Sequence, residues 1–252
     1  MYLTDSSFFD LVKRQYLYKL KAYRDVFTGL LIIHLLTFLM SYNGVGSISS
    51  STGNVIFSLK TYSDDLFMIL TMVWIFITAI QFTGKKHRDS DFSFSSTRLS
   101  SAVSSASMLM TVAAISGIVT YLAGNTLKVM VVLLKSDAIM RMANFYISPG
   151  EFLRGIAVSI LYMILAASIG YFAGMVVQWK KVFAVLLPVA LIGNIIYKTN
   201  LSQSVNGILI AEIINFFAEE ISFPLFIVKV VSVSIALLAG SVLFADRLEV
   251  RK

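Results

Sequence analysis

Long apolar runs separated by short polar intervals dominate this chain. Six of them are long enough, or nearly so, to cross a hydrocarbon core of about 30 Å as helices. They fall near Val26–Tyr42, Leu66–Thr83, Ala102–Ala123, Phe152–Val177, Val182–Tyr197 and Leu225–Ala245. The runs are continuous and lack the period-2 alternation of barrel strands, so helices are expected. The first and fifth are short for a span and are expected to borrow a turn from flanking polar residues. The pattern predicts an all-α, polytopic membrane protein: one transmembrane domain of six helices over residues 1–252.

Three polar-bearing segments stand outside the spans. Ahead of the first, Phe8, Phe9, Val12, Tyr16, Leu20 and Tyr23 share about a third of a helical wheel. Lys13, Arg14, Lys21 and Arg24 lie on the neighbouring arc. Residues 5–25 therefore read as an amphipathic helix lying in the membrane interface, basic side toward lipid headgroups. The plainer alternative is a solvated helix end. Asn125–Glu151 lies along the outer leaflet or packs on the bundle. In Ile208–Glu220, the residues Glu212, Asn215 and Glu219 recur at i, i+3 and i+7, one polar stripe on an apolar helix. A helix of that length can dip into the membrane without crossing it, provided its polar groups meet water or protein. A solvated outer face explains the stripe equally well.

Composition agrees with the pattern. The chain is 57% hydrophobic and 14% charged, with a mean hydropathy of +0.80, against about 45–50% and about 25% in soluble domains. It has no cysteine, which excludes disulfides and cysteine-based metal or redox sites. A net charge of +7 fits either nucleic acid or an anionic membrane surface, and the basic residues sit at the ends of apolar runs, so no nucleic acid is expected. The N-terminal stretch lacks the order of basic cluster, apolar core and small-residue site that marks a cleavable signal peptide.

Six spans would put both ends of the chain on one side. With that side inside, the cytoplasmic segments hold Lys13, Arg14, Lys19, Lys21, Arg24, Lys85, Lys86, Arg88, Arg98, Lys180, Lys181, Arg247, Arg251 and Lys252, fourteen of the 21 basic residues. The positive-inside rule thus favours a multi-pass protein of the cell (plasma) membrane with both termini cytoplasmic.

Catalytic chemistry is not expected of this chain. Gly84-Lys85-Lys86 lacks the earlier glycine and the hydroxyl of a phosphate-binding loop. The two histidines, His34 and His87, form no ligand pair, so neither metal nor cofactor is expected to bind here. Glu219-Glu220 is followed, after three residues, by Pro224 rather than the arginine of intramembrane proteases. His34 lies mid-span in LLIIHLLTF. It is either a proton relay or substrate contact, or a neutral side chain bonded to a neighbouring helix. Lys229, near the start of the last span, is expected to snorkel outward. Gly170-Tyr-Phe-Ala-Gly174 offers a small-residue face for close packing, within the chain or between copies.

The loop between spans two and three holds more chemistry than a connection needs. Phe92 and Phe94 are large apolar groups on the expected cytoplasmic side; Asp89, Asp91 and Arg98 supply orienting charge. A flexible serine-rich linker or a phosphorylation target is the alternative. The order of elements, together with DFSFSSTRLSSAVSSASML, resembles the membrane subunit of ABC-2 type ABC exporters. Within that family it is most similar to permeases of Gram-positive peptide exporters such as the staphylococcal phenol-soluble modulin exporters.

The resemblance implies that this loop forms a coupling helix that docks on a separate ABC ATPase subunit through Asp91, Phe92, Phe94, Arg98 and Leu99. ATP and Mg would be bound by that partner, and a second permease copy, identical or homologous, would complete the pathway. An amphipathic peptide or lipid-like substrate would then leave past Glu212, Asn215 and Glu219. Two other classes remain open: an ion-coupled carrier or channel relying on His34 and the glutamates, and a non-transporting immunity protein.

Overall fold

The computed structural model describes residues 8–42, 46–52, 55–61, 64–84, 98–134, 148–179, 216–217 and 222–247. Apart from one hairpin they are overwhelmingly helical. Helix α1 (Phe8–Ala22) turns at Tyr23–Arg24 into α2 (Asp25–Ser41), with a bend of 48°. Strands β1 (Gly46–Thr52) and β2 (Val55–Thr61) follow, then α3 (Asp65–Phe82), α4 (Arg98–Leu134), α5 (Pro149–Trp179) and α6 (Phe223–Arg247). The fifth expected span, 182–197, lies outside the described residues, as does the segment 85–97.

Four helices, α3 to α6, are long and apolar enough to cross a membrane, and α1 with α2 makes a bent fifth. This is an α-helical membrane protein. The exposed faces support that conclusion independently of hydropathy. On α2, Leu31, Ile32, Leu35, Leu36, Leu39 and Met40 point outward, whereas Leu30, His34, Thr37 and Ser41 are buried. Such an arrangement suits lipid, where apolar side chains gain nothing by hiding and polar ones need protein partners. Buried Ser and Thr return their hydroxyls to their own helix: Thr37 to Ile33 O, Thr78 to Trp74 O, Ser168 to Ile164 O, Ser241 to Leu237 O. Such back-bonding is tolerated in membrane helices.

The core is the trio α3, α4 and α5, with α3 and α5 parallel and α4 antiparallel to both. Ile75, Ala79, Phe82, Met108, Val112, Met163, Ala167 and Tyr171 form its central cluster. Glycines set the spacing. A Cβ on Gly170 would strike the backbone of Phe76, and one on Gly174 the side chain of Thr83. The Gly170–Gly174 face is therefore a contact within the chain, α5 on α3. Gly117 on α4 similarly admits the backbone of Ile160.

Three expectations change. The α2 helix has 17 residues and borrows no turn; the chain bends at Tyr23–Arg24 instead. The third span does not end near Ala123. Helix α4 runs on to Leu134, 37 residues or about 55 Å, because Leu127 and Val131 bury against Phe67 of α3. Of the two readings for the segment after Asn125, its first part packs on the bundle. Finally, the interval between α2 and α3 is a two-stranded antiparallel hairpin, paired from Gly46↔Thr61 to Thr52↔Val55.

Two ends of the bundle can now be distinguished. The starts of α2 and α4 and the ends of α3 and α5 share one, called the loop end because the chain leaves α3 and re-enters α4 there. The hairpin shares the other with the starts of α3, α5 and α6. Between α5 and α6, Phe217 packs with Leu165, Phe226 and Val230, and its carbonyl accepts a hydrogen bond from Tyr162 Oη at 3.3 Å. Lys229 reaches back toward the hairpin end, its ammonium 4.2 Å from the Phe216 ring centroid and 3.5 Å from the Phe216 carbonyl, as a snorkelling lysine does.

Candidate functional site

At the loop end, α1 lies across the first turns of α4, and a lysine holds it there. Lys19 is 2% exposed. Its ammonium donates to Ser101 O (3.2 Å), Ser104 Oγ (2.9 Å) and Ser105 Oγ (2.6 Å). Three N–H donors thus meet three acceptors, the condition under which a buried ammonium is tolerable. Gln15, also 2% exposed, accepts from Ser104 Oγ at 3.2 Å, and Tyr16 Oη bonds Thr111 Oγ1 at 2.9 Å. Serines at the start of this span are the acceptors of the latch, presented at i, i+3 and i+4 on one face of α4.

This amends the reading of α1. Its wheel does place apolar residues on one arc, but Lys19 falls inside that arc, between Phe8 and Val12. The face that meets the bundle centres on Gln15 and Lys19, while Phe9 is 79% exposed. Phe8 and Phe9 pack edge to face on each other, 5.8 Å between centroids. Lys13, Arg14, Lys21 and Arg24 are all exposed, as a headgroup-facing role requires. One sequence signal bears on Lys19, a cation falling inside an apolar arc.

The α1–α2 bend opens a cavity of about 420 Å³ against α3, lined by Tyr23, Asp25, Gly29, Trp74, Gln81 and Phe82. Tyr23 and Phe82 meet edge to face at 5.3 Å. Polar and apolar side chains line it together, near the C-terminal end of α3.

Further along α4, His34 reaches it from α2. Its Nδ1 lies 2.8 Å from Leu30 O and its Nε2 3.3 Å from Thr120 Oγ1. Thr120 Oγ1 itself lies 2.7 Å from Ser116 O. Phe67 covers the ring at 6.0 Å between centroids. Of the two readings for His34, the bond to a neighbouring helix is present. Near the hairpin end a second cavity, about 180 Å³, is bounded by Asp64, Asp65, Thr120, Tyr121 and Ser159. Asp64 pairs there with Lys128 at 3.1 Å, and Gly124 lets α4 approach Asp64.

The remaining sequence-predicted residues are placed as follows. Arg98 opens α4, and Leu99 beside it is 46% exposed. Asp91, Phe92 and Phe94 lie outside the described residues, as do Glu212, Asn215 and Glu219. Within the segment of those last three, only Phe216 and Phe217 are described, against α5 and α6. Comparison with known families, with characterised proteins and with solved structures finds no match to this chain.

Proposed function

We propose that this chain is the membrane permease subunit of an ATP-driven exporter of the ABC-2 type. It would lie in the cell membrane with both termini in the cytoplasm, and the loop end of the bundle would face inward. Segment 85–97 would dock on a separate ATPase subunit through Asp91, Phe92, Phe94, Arg98 and Leu99, with ATP and Mg held there. A second permease copy would complete the pathway for an amphipathic peptide or lipid-like substrate.

The observation that supports this most is the Lys19 latch. The segment that would receive the motor's stroke runs directly into the turn of α4 that Lys19 grips. A displacement of that segment would therefore move α1 together with α4, and would strain the α1–α2 bend and the cavity beneath it. Coupling of this kind needs a contiguous packed element with two arrangements, and the bend supplies a place for the second. Glu212, Asn215 and Glu219 would line the exit on the far side.

The test is affinity purification of the full chain from native membranes. An ATPase subunit should co-purify, and Phe92→Asp with Phe94→Asp should abolish that association. Retained association in the double variant overturns the docking assignment. Because the chain has no cysteine, single cysteines at positions 93 and 220 report sidedness cleanly. Position 93 should label from the cytoplasm and position 220 from outside; the reverse overturns the orientation.

A further inference from the structure

The cavity at the α1–α2 bend holds about 420 Å³, within the range of small-molecule sites, about 300–1,000 Å³. Most of its polar side chains stand open. Among the described residues, the Asp25 carboxylate, the Trp74 indole N–H and the Gln81 amide make no hydrogen bond or ion pair. Thr78 is committed, its hydroxyl donating to Trp74 O at 2.8 Å.

Charge decides what such a space can take. Asp25 is the one lining residue with a formal charge. Two helix ends meet here, positive at the start of α2 and negative at the end of α3, and they offset one another. Lys21 and Arg24 are exposed and stand outside the lining, so an anion finds no counter-charge within it. A hard metal ion asks for about six oxygen ligands, and here only one carboxylate and one amide are open. An organic ammonium asks for less: a carboxylate, a carbonyl and aromatic surface. Tyr23, Trp74 and Phe82 supply the rings, whose faces attract cations. Tyr23 and Phe82 hold each other edge to face at 5.3 Å. Trp74 lies against α2 at Gly29, where a Cβ would come 3.2 Å from the indole nitrogen. These rings are placed before a ligand arrives, which lowers the cost of binding.

Depth along the bundle indicates what carries the ammonium. Asp25 opens α2 and Gln81 nearly closes α3, whereas Gly29 and Trp74 lie a turn or more further from the loop end. Ile32, Val73 and Ile77, each within a turn of Gly29 or Trp74, are exposed apolar residues. We propose that this cavity binds the ammonium head of an amphipathic amine. Asp25 is its counter-ion, and the apolar chain runs past Gly29 and Trp74 into hydrocarbon. A bilayer aminolipid and a free long-chain amine share that chemistry. The inference does not rest on the exporter reading.

The experiment uses Trp74 as reporter. The chain has two tryptophans, so Trp179→Phe leaves Trp74 alone. The full chain in phosphatidylglycerol nanodiscs is titrated with dodecylammonium, and Trp74 emission should change and saturate. Dodecanol, which has the same chain and no charge, should give no saturable change. Asp25→Asn should raise the half-saturating concentration about tenfold or more, the loss of a charge-assisted contact. Asp25→Glu should stay within about threefold, a folded control that keeps the charge. Replacing part of the lipid with phosphatidylethanolamine distinguishes the sources. A half-saturation that rises with its fraction assigns the site to aminolipid, and one that does not move assigns it to free amines. Saturation by dodecanol equal to that by dodecylammonium overturns the proposal. So does a half-saturation that Asp25→Asn leaves in place.

Discussion

Two polar side chains from the N-terminal helices reach the same long helix, and they are held there unequally. Lys19 brings three hydrogens to three oxygens on the first turns of α4. His34 bonds the Leu30 carbonyl of its own helix and meets α4 through one contact, 3.3 Å from Nε2 to Thr120 Oγ1. Both side chains are buried, so burial alone does not rank them. Charge and the number of hydrogen bonds made across helices do, because a polar atom left unmatched in a low-dielectric interior costs about 1–3 kcal/mol, and more when it is charged.

The sharpest break in this comparison is Lys19→Glu. It sets a carboxylate against a backbone carbonyl and two hydroxyls with no ammonium between them, and should cost about 3–5 kcal/mol, read as a large fall in the unfolding midpoint of the purified chain. Lys19→Met keeps much of the stem and loses the charge, leaving the serines free to bond elsewhere; it should cost less than the glutamate variant in the same assay. Ser105→Ala removes the shortest of the three acceptors and should cost about 1.5–3 kcal/mol, the range for hydrogen bonds to a charged group. His34→Leu should cost only about 0.5–1.5 kcal/mol, the scale of polar contacts between membrane helices, since its one contact to α4 is long and uncharged on the Thr120 side. A cost for His34→Leu as large as that for Lys19→Glu would erase the distinction between the two contacts. Smallest of all, Lys128→Ala should change stability by less than about 1 kcal/mol, because the Asp64–Lys128 pair is partly exposed and screened by salt.

Much of the helical layout was legible in the apolar runs. The ends expected for α2 and α3 fall within one residue of those observed, because a span's edges are marked by charged or polar residues that cannot follow it into lipid. The far end of α4 was not legible. Asn125, Thr126 and Lys128 look like the end of a span, yet the helix continues because Leu127 and Val131 find Phe67 on another helix. The hairpin between α2 and α3 carries a signal in Gly53-Asn54, a two-residue interval of turn type, but its serine-rich first strand hides the strand pattern. Of the candidate site, the helical start of α4 that carries Ser104 and Ser105 was visible as the beginning of an apolar run. Lys19 was not, since a lysine on a basic amphipathic helix is ordinarily assigned to headgroups and its serine partners lie more than eighty residues away.

The sequence by itself determined that this is a helical membrane protein, where most of its spans lie, and which segments hold charge. Those properties follow from local transfer energies, which each stretch carries with it wherever it packs. Tertiary structure decided which residues meet: that Gly170 and Gly174 serve α3 rather than a second copy, that Lys19 is a latch rather than an anchor, and that His34 faces the Thr120 hydroxyl of α4. Those are properties of pairs, fixed by distances of a few tenths of an ångström between residues far apart in the chain.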